Sequence, residues 1–374
     1  MRKAPVHLPG LNGLRAIAAI AVVISHTTLY LDRFGLDRHV FGSYSDGTAR
    51  GLDLATYGVT LFFTLSGFLI THLLLRERIE TGGVNIRAFY VRRILRIWPL
   101  YYAYLAVAMV VVVSAGLAWS GRSLFYYATL LANVPRVYGN EIALVDHLWS
   151  IGVEEQFYLL WPWVVAAVPG RLVRLTTVAI GVLVSLVLIS KFILVPHGWT
   201  AAAAALSMVR FQAMLIGCLG ALLWNGRQAW FTAYFTQPLI HAAAWCCLLL
   251  IGLNHFPVPS FIGNEVVSVI ALVLIMGQVN RRHGMIDLER PLFDRLGRIS
   301  YGTYVLHPLI IFLFAEVTGG LRWLIPTARY GVIYFSVLVL SLIAASISYR
   351  HFETPFLRWK DRFAVVRSRA HMGR

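Results

Sequence analysis

Long apolar runs separated by short polar loops dominate the hydrophobic pattern of this chain. Most of the runs approach the roughly 20 residues that an α-helix needs to cross the hydrocarbon core of a bilayer. A further apolar piece at 124–132 is too short to cross and could be re-entrant or interfacial. The pattern predicts ten membrane spans, at residues 11–30, 57–75, 98–117, 149–168, 175–195, 206–224, 239–253, 262–279, 299–317 and 332–349. The predicted fold class is therefore all-α, a polytopic integral membrane protein with about ten transmembrane helices around a central channel.

The composition supports a membrane protein. Of the 374 residues, 58% are hydrophobic and only 13% are charged, whereas a soluble chain has about a quarter charged residues. No long polar stretch could fold as a second unit, so we expect one integral-membrane domain over residues 1–374, with a short basic cytoplasmic tail from about residue 350. The three cysteines lie in apolar runs without metal-ligand spacing, and no metal cofactor is expected.

The net charge of +16 comes mostly from arginines in the short loops. In a soluble protein such an excess would suggest nucleic acid as a partner, but here its distribution is that of orientation signals. Basic residues concentrate at the N-terminus, after spans two, four, six and eight, and in the tail. The positive-inside rule then places both termini in the cytoplasm, in a multi-pass protein of the inner (cytoplasmic) membrane. The lipid bilayer, and not nucleic acid, is the expected partner.

The first span carries two charged or titratable residues, Arg15 and His26. Eleven residues separate them, which is within roughly 20° of three full helical turns, so both lie on one face about 16 Å apart. A titratable group inside a span is costly and usually faces a protein interior or a wet cavity. The predicted orientation places Arg15 at the cytoplasmic entrance and His26 in the outer part of the membrane. The plain structural alternative is a histidine that only bonds a neighbouring carbonyl.

The fourth span brings a carboxylate to a comparable depth. In HLWSIGVEEQFYLLWP, the residues His147, Ser150 and Glu154 share one helical face, and Asp146 is the expected N-cap. We expect Glu154 to lie at the depth of His26. Such a pair could act as a general base, with the carboxylate orienting an imidazole that takes a proton from a hydroxyl. Alternatively, the pair only locks two helices together.

The third span opens with RRILRIWP, in which Arg93 and Arg96 share a face and Pro99 is expected in the opening turns. Arginine forks match phosphate oxygens in a bidentate fashion. The alternative is that these arginines act only as orientation signals or bind anionic lipid headgroups. We expect this pair to be functional.

Two further residues could line a substrate channel together with His147. Ser66 lies in the second span, where a small residue usually serves close helix packing and more rarely acts as an exposed nucleophile. His307 lies about mid-membrane in the ninth span, and Pro308 follows it. A proline inside a span loosens the backbone where a cavity could form.

Six motifs follow one another along the chain: GLRAIAAIAVVISH (13–26), GVTLFFTLSGFLIT (58–71), FYVRRILRIWPLYY (89–102), HLWSIGVEEQFYLLWP (147–162), GRISYGTYVLHPLI (297–310) and HFETPF (351–356). Together they resemble the acyltransferase family 3 membrane proteins, of the type that O-acetylates bacterial glycans or lipids. The resemblance implies transfer of an acyl group, most often acetyl, from cytoplasmic acyl-CoA to a hydroxyl of a glycan, a glycolipid or a related small metabolite. Some members carry a further C-terminal domain, and this chain resembles the single-domain type.

The resemblance also implies roles for individual residues. The histidine that matches His26 is essential, the arginines that match Arg93 and Arg96 serve the CoA side, and the carboxylate that matches Glu154 supports catalysis. These implied roles agree with the depths and faces expected from the spans.

The combined hypothesis has acyl-CoA binding from the cytoplasm, with Arg15 joining the arginine pair on its phosphates. The thioester meets His26, which either deprotonates the acceptor hydroxyl or briefly carries the acyl group. Glu154, with Ser150 or His147, is expected to orient His26.

A permease is the alternative function. In that case His26 and Glu154 would form a proton relay for the export of a metabolite or glycolipid. Transporters often contain inverted repeats, and the sequence shows none. The acyltransferase interpretation is therefore favoured.

Overall fold

The computed structural model describes residues 8–43, 47, 49, 53–253, 255, 262–280 and 286–364. The basic residues Arg2 and Lys3 and the tail beyond residue 364 lie outside the described residues, as do Arg281 and Arg282 of the predicted loop after span eight. Within the described ranges there is no named strand, and only an isolated bridge joins Ser43 to Ala49. The predicted all-α fold class is confirmed.

Sixteen α-helices are present in the described part of the chain. Short 3₁₀ turns at Leu31–Phe34, Asp146–Leu148, Pro169–Arg171 and Gly319–Leu321 connect some of them, and π-helical turns at Ser190–Leu194 and Ser348–Glu353 follow α7 and α15. The helices are α1 Leu11–Leu29, α2 Leu54–Thr81, α3 Ile86–Ser114, α4 Gly121–Ala128, α5 Val134–Val137, α6 Trp149–Ala167, α7 Leu172–Ile189, α8 Thr200–Val209, α9 Phe211–Asn225, α10 Ala229–Phe235, α11 Pro238–Gly252, α12 Gly263–Val279, α13 Pro291–Arg298, α14 Ser300–Thr318, α15 Pro326–Ile347 and α16 Thr354–Asp361.

Each predicted span corresponds to a helix, but the count of ten spans is not confirmed. Among the described residues, seven helical segments are long and apolar enough to cross a membrane. An eighth is possible if α10 and α11, which meet at a bend of 54°, form one broken span. Helix α12 is apolar but shorter, and α6 carries Glu154, Glu155 and Gln156 along its length. The seven are 11–29, 54–81, 86–114, 169–194, 200–225, 300–318 and 327–361.

Helices α2 and α9 cross closely at the centre of the bundle. At the crossing, a Cβ on Gly67 would collide with the Met214 carbonyl, and one on Gly217 would collide with the Thr64 carbonyl. Small residues at this point let two backbones approach, which is the usual way that helices pack within membranes. The buried core extends from this crossing onto α1, α3, α6 and α14. Large apolar side chains on the outer helix faces are exposed, as expected of surfaces that contact lipid.

Two predicted helix starts were wrong. Helix α3 begins at Ile86, where the side-chain oxygen of Asn85 accepts a hydrogen bond of 2.9 Å from the Ala88 N–H. Pro99 therefore lies in the middle of a long helix and not in its opening turns. Asp146 does not cap α6, because it lies in a 3₁₀ turn and accepts hydrogen bonds from Arg136 instead.

The segment predicted as a cytoplasmic tail is folded up to residue 364. Helix α16 packs on α3, and Arg92 donates a hydrogen bond of 2.8 Å to the carbonyl of Phe363. This segment therefore covers one end of the bundle, where the cavity described below begins.

Candidate active site

A cavity of about 550 Å³ lies between α1, α2, α3, α6, α13, α14 and α16. It brings together residues from spans that are far apart in the sequence. The predicted site residues that line it are Arg15, Ser66, Arg93, Arg96, Ser150 and Glu154. The other three predicted residues, His26, His147 and His307, form a separate cluster beyond its far end.

One end of the cavity is strongly basic, and some of its arginines are neutralised. Arg92 forms an ion pair of 3.0 Å with Glu77, and Arg298 forms one with Asp294. These two arginines therefore add little positive charge to the cavity.

The three arginines predicted for the CoA side form no ion pair among the described residues. Arg15 donates a hydrogen bond of 3.1 Å to the uncharged side chain of Asn12. The guanidinium of Arg93 lies over the rings of Phe89 and Tyr158, at 5.5 and 5.3 Å from their centroids. Its Nε is buried and has no hydrogen-bond partner in the described part of the chain. With Arg96, they present to the cavity positive charge that no ion pair with a described residue neutralises.

Glu154 belongs to this cavity and does not contact His26. Its Oε1 accepts a hydrogen bond of 2.7 Å from the Ser66 hydroxyl, and Arg15 and Arg93 are charged neighbours. The expected pair of His26 and Glu154 was therefore wrong. The reason is position along α6, because Glu154 follows His147 by seven residues, about 10 Å towards the arginines.

The three histidines lie in one cluster on α1, α14 and the turn before α6. His26 Nδ1 and His307 Nε2 are 2.7 Å apart, and the rings of His147 and His307 have centroids 5.4 Å apart. His147 and His307 are buried, whereas His26 is part-buried. The sequence placed His26 and His307 inside spans but did not indicate that they touch, because that contact depends on how α1 packs against α14.

The hydrogen bonds of this cluster determine which ring nitrogens carry protons. His307 Nδ1 lies 2.7 Å from the carbonyl oxygen of Tyr304, which can only accept, so Nδ1 must be the donor. In neutral His307, Nε2 is then an acceptor, and its partner His26 Nδ1 must donate. The remaining nitrogen of neutral His26, Nε2, therefore carries a free lone pair, as a general base or nucleophile requires.

Tyr304 connects the cavity with the histidine cluster. It lines the far end of the cavity, and its hydroxyl donates a hydrogen bond of 2.7 Å to the carbonyl of His147. The Ser150 hydroxyl lies 2.6 Å from the same tyrosine oxygen, which is free to accept from it. Sequence reasoning missed Tyr304. Its place one helical turn before His307 on the same helix was the available signal.

Comparison with known proteins gives a consistent result. The family model described as an acyltransferase domain, that of the acyltransferase 3 family, matches residues 8–346. The O-acetyltransferase OatA of Staphylococcus aureus strain NCTC 8325 / PS 47 is 27% identical over 94% of this chain and 57% of its own length. The putative O-acetyltransferase SAR0937 of S. aureus strain MRSA252 is 25% identical over 96% of this chain and 59% of its own. The chain thus spans somewhat over half the length of these relatives. No solved structure matches it.

Proposed function

This chain belongs to the acyltransferase 3 family, and we propose that it transfers an acyl group, most simply acetyl, from acyl-CoA to a hydroxyl of a glycan, a glycolipid or a related small acceptor. The proposal rests on one observation, the placement of the cavity arginines relative to His26. Three arginines without ion pairs to described residues lie at one end of a cavity, and a histidine with a free ring nitrogen lies beyond the other.

Acyl-CoA suits the basic end of the cavity. Its phosphates require cations, and Arg15, Arg93 and Arg96 supply them with no ion pair to a described carboxylate that binding would have to break. The cavity volume of about 550 Å³ is that of an ordinary small-molecule site. Beyond the arginines its walls include Phe62, Phe63 and other apolar side chains, along which the pantetheine arm would lie. We place this end in the cytoplasm, where acyl-CoA is found, in agreement with the basic loops.

His26 would act through its Nε2. As the acceptor oxygen attacks the thioester carbonyl carbon, Nε2 takes the hydroxyl proton. The carbon–sulfur bond then breaks, and the departing CoA thiolate takes that proton from the imidazolium. In the alternative course, Nε2 itself attacks the thioester carbon, the carbon–sulfur bond breaks and the CoA thiolate leaves. The acceptor oxygen then attacks the acyl-imidazolium, its proton passes to the CoA thiolate, and the carbon–nitrogen bond breaks to restore His26. Both courses use the same lone pair, and both gain from His307 Nε2, which stays hydrogen-bonded to the Nδ1–H of His26 throughout.

Glu154 has a different role in this proposal from the one expected from the sequence. Held by Ser66 between Arg15 and Arg93, it would keep the arginines in position and limit their mutual repulsion. Ser150 and Tyr304 would position the far end of the cavity against the histidine cluster.

The test is donor turnover by the purified protein in nanodiscs. Wild type, His26→Ala and the exposed control His197→Ala are incubated with acetyl-CoA, and free thiol is followed with and without a crude glycan or lipid extract. We expect the extract to accelerate thiol release by wild type and His197→Ala. We expect release by His26→Ala to fall by a factor of about 10²–10⁴, the usual contribution of general acid–base catalysis.

Substantial release by His26→Ala would remove this histidine from the mechanism. If wild type neither binds CoA nor releases thiol with any extract, transfer from acetyl-CoA is wrong and the permease becomes the better function.

A further inference from the structure

Arg210 lies in a break between α8 and α9, with left-handed backbone angles of φ 44° and ψ 19°. Side chains other than glycine rarely adopt this conformation, and when they do it is often at a functional site. The break brings the guanidinium over Trp149, at 5.0 Å from the ring centroid. An unbroken helix, as predicted for residues 206–224, would place this arginine differently.

The charge of Arg210 is not compensated within the described part of the chain. Its Nε and Nη1 are enclosed and have no hydrogen-bond partner there, and it forms no ion pair with a described residue. Enclosing a charged group without a partner is costly. The residue as a whole is only part-buried, so a ligand can reach it.

Arg136 provides an internal comparison on the same aromatic ring. Its guanidinium lies 5.4 Å from the centroid of Trp149, but both oxygens of Asp146 accept from it, at 3.0 and 2.7 Å. Burial lowers the pKa of Arg136, but the charge and hydrogen bonds of Asp146, together with the charges of Glu141 and Tyr304, offset this, so that the pKa is raised. Of the two arginines that lie over Trp149, Arg136 therefore forms an ion pair with a carboxylate, and Arg210 forms none with a described residue.

Glu265 adds an acceptor beside Arg210. Its Oε1 accepts a hydrogen bond of 3.0 Å from Gln212, while its Oε2 is buried without a partner among the described residues. Its charge acts on Arg210, but the two form no ion pair. A ligand with an anionic group and hydroxyl groups could pair with both side chains. Its anionic group would accept from Arg210, and one hydroxyl would donate to Glu265.

The cluster lies at the end of the bundle opposite the arginines of the cavity. Helices α6, α9 and α12 all begin here, so their N-termini add positive potential. Arg136 lies within electrostatic range of both His26 and Arg210, which places the cluster on the His26 side. We propose that Arg210, over Trp149, binds the anionic group, a phosphate or a carboxylate, of a hydroxylated acceptor, and that Glu265 accepts a hydrogen bond from one of its hydroxyls. Its role as acceptor site rests on the proposed function.

Ligand binding tests this site without any turnover. The purified protein in an uncharged detergent is first saturated with CoA, so that the cavity arginines are occupied. Inorganic phosphate, glucuronate and glucose are then titrated by calorimetry into wild type, Arg210→Gln and Arg122→Gln. Arg122 is the matched control, because it is an exposed arginine at the same end of the bundle as Arg210.

We expect wild type and Arg122→Gln to bind at least one of the two anions and not glucose. We expect Arg210→Gln to bind that anion at least tenfold more weakly.

Preferred binding of phosphate would indicate a lipid-linked phosphate as the source of the anion, and preferred binding of glucuronate a carboxylate of the glycan. Either result supports the site. Equal anion binding by wild type and Arg210→Gln, or no anion binding by wild type, would overturn it.

Glu265→Gln gives a second measurement that does not depend on how Arg210→Gln folds. Inorganic phosphate has no sugar hydroxyl to offer to Glu265, so removing this negative charge should strengthen phosphate binding several-fold, and unchanged or weaker phosphate binding contradicts the proposal. Because these titrations need no acyl transfer, failure of the thiol-release test and failure of this site would be seen separately.

Discussion

At the scale of single residues, the chemistry depends on contacts between spans. The sequence alone indicated that His26 was functional, because an imidazole in an apolar span needs a reason to be there. It did not indicate His307 as the partner, since the two residues are 281 positions apart. The contact also settles the tautomer, because the Tyr304 carbonyl dictates the proton position on His307 and hence on His26.

We predict that His307→Phe lowers kcat by about tenfold or more while leaving the KM for acetyl-CoA nearly unchanged, since loss of an oriented base removes part of a contribution of about 10²–10⁴. Without the acceptor Nε2, the Nδ1–H of His26 loses its partner, and the lone pair is no longer held on Nε2. The KM should not change because His307 does not line the donor cavity.

Steady-state thiol release at varied acetyl-CoA provides both constants. An unchanged kcat would mean that His307 does not orient His26, and a raised KM with normal kcat would place His307 in donor binding instead.

At the scale of helices, the apolar pattern predicted where helices lie better than where they begin or break. All ten predicted spans are helical, yet α3 starts twelve residues before the predicted Trp98, at Ile86, because Asn85 provides a cap in a polar stretch. The break at Arg210 had no signal in the sequence, since arginine has no preference for left-handed angles. The start of α6 at Trp149 was predicted correctly, and the error at Glu154 has another cause. Residues that share a helical face but lie seven positions apart differ by about 10 Å in depth, which separates Glu154 from the histidines.

The crossing of α2 and α9 gives a prediction about stability. Gly67→Ala should lower the free energy of unfolding by about 1–3 kcal/mol, because the new Cβ meets the rigid backbone carbonyl of Met214 and the helices must separate. Gly181→Ala in α7 is the control. A Cβ there meets nothing within 4 Å, so better helix propensity should stabilise by about 0.5–1 kcal/mol.

Thermal unfolding in the same detergent compares the two variants. If both shift the midpoint in the same direction and by the same amount, close packing at Gly67 is not what joins these helices.

At the scale of the whole molecule, the family and the all-α fold class predicted from the sequence are confirmed. The six motifs, taken in order, were enough to identify the family. Each of them contributes residues to the same helical bundle. The number of spans was harder to predict, since hydropathy alone does not decide whether a helix with polar residues, such as α6, crosses the membrane or is buried within the bundle. The single-domain organisation and the orientation stay predictions.

Orientation is the property on which the proposed mechanism most depends. Acyl-CoA can reach Arg15, Arg93 and Arg96 only if their end of the bundle faces the cytoplasm. The loop after α2 lies at that end, and the segment with α4 lies at the other.

Membrane-impermeant maleimide on intact cells should therefore label Gly121→Cys, at the start of α4, and not Gly83→Cys, after α2, in a background with Cys246 and Cys247 replaced by serine. Both glycines are exposed, with nothing within 4 Å of an added Cβ, so accessibility depends on the side of the membrane. Gly83→Cys should become labelled once the cells are permeabilised, which controls for expression. The reverse pattern would put the basic cavity outside the cell, where no acyl-CoA is available, and would rule out the proposed donor.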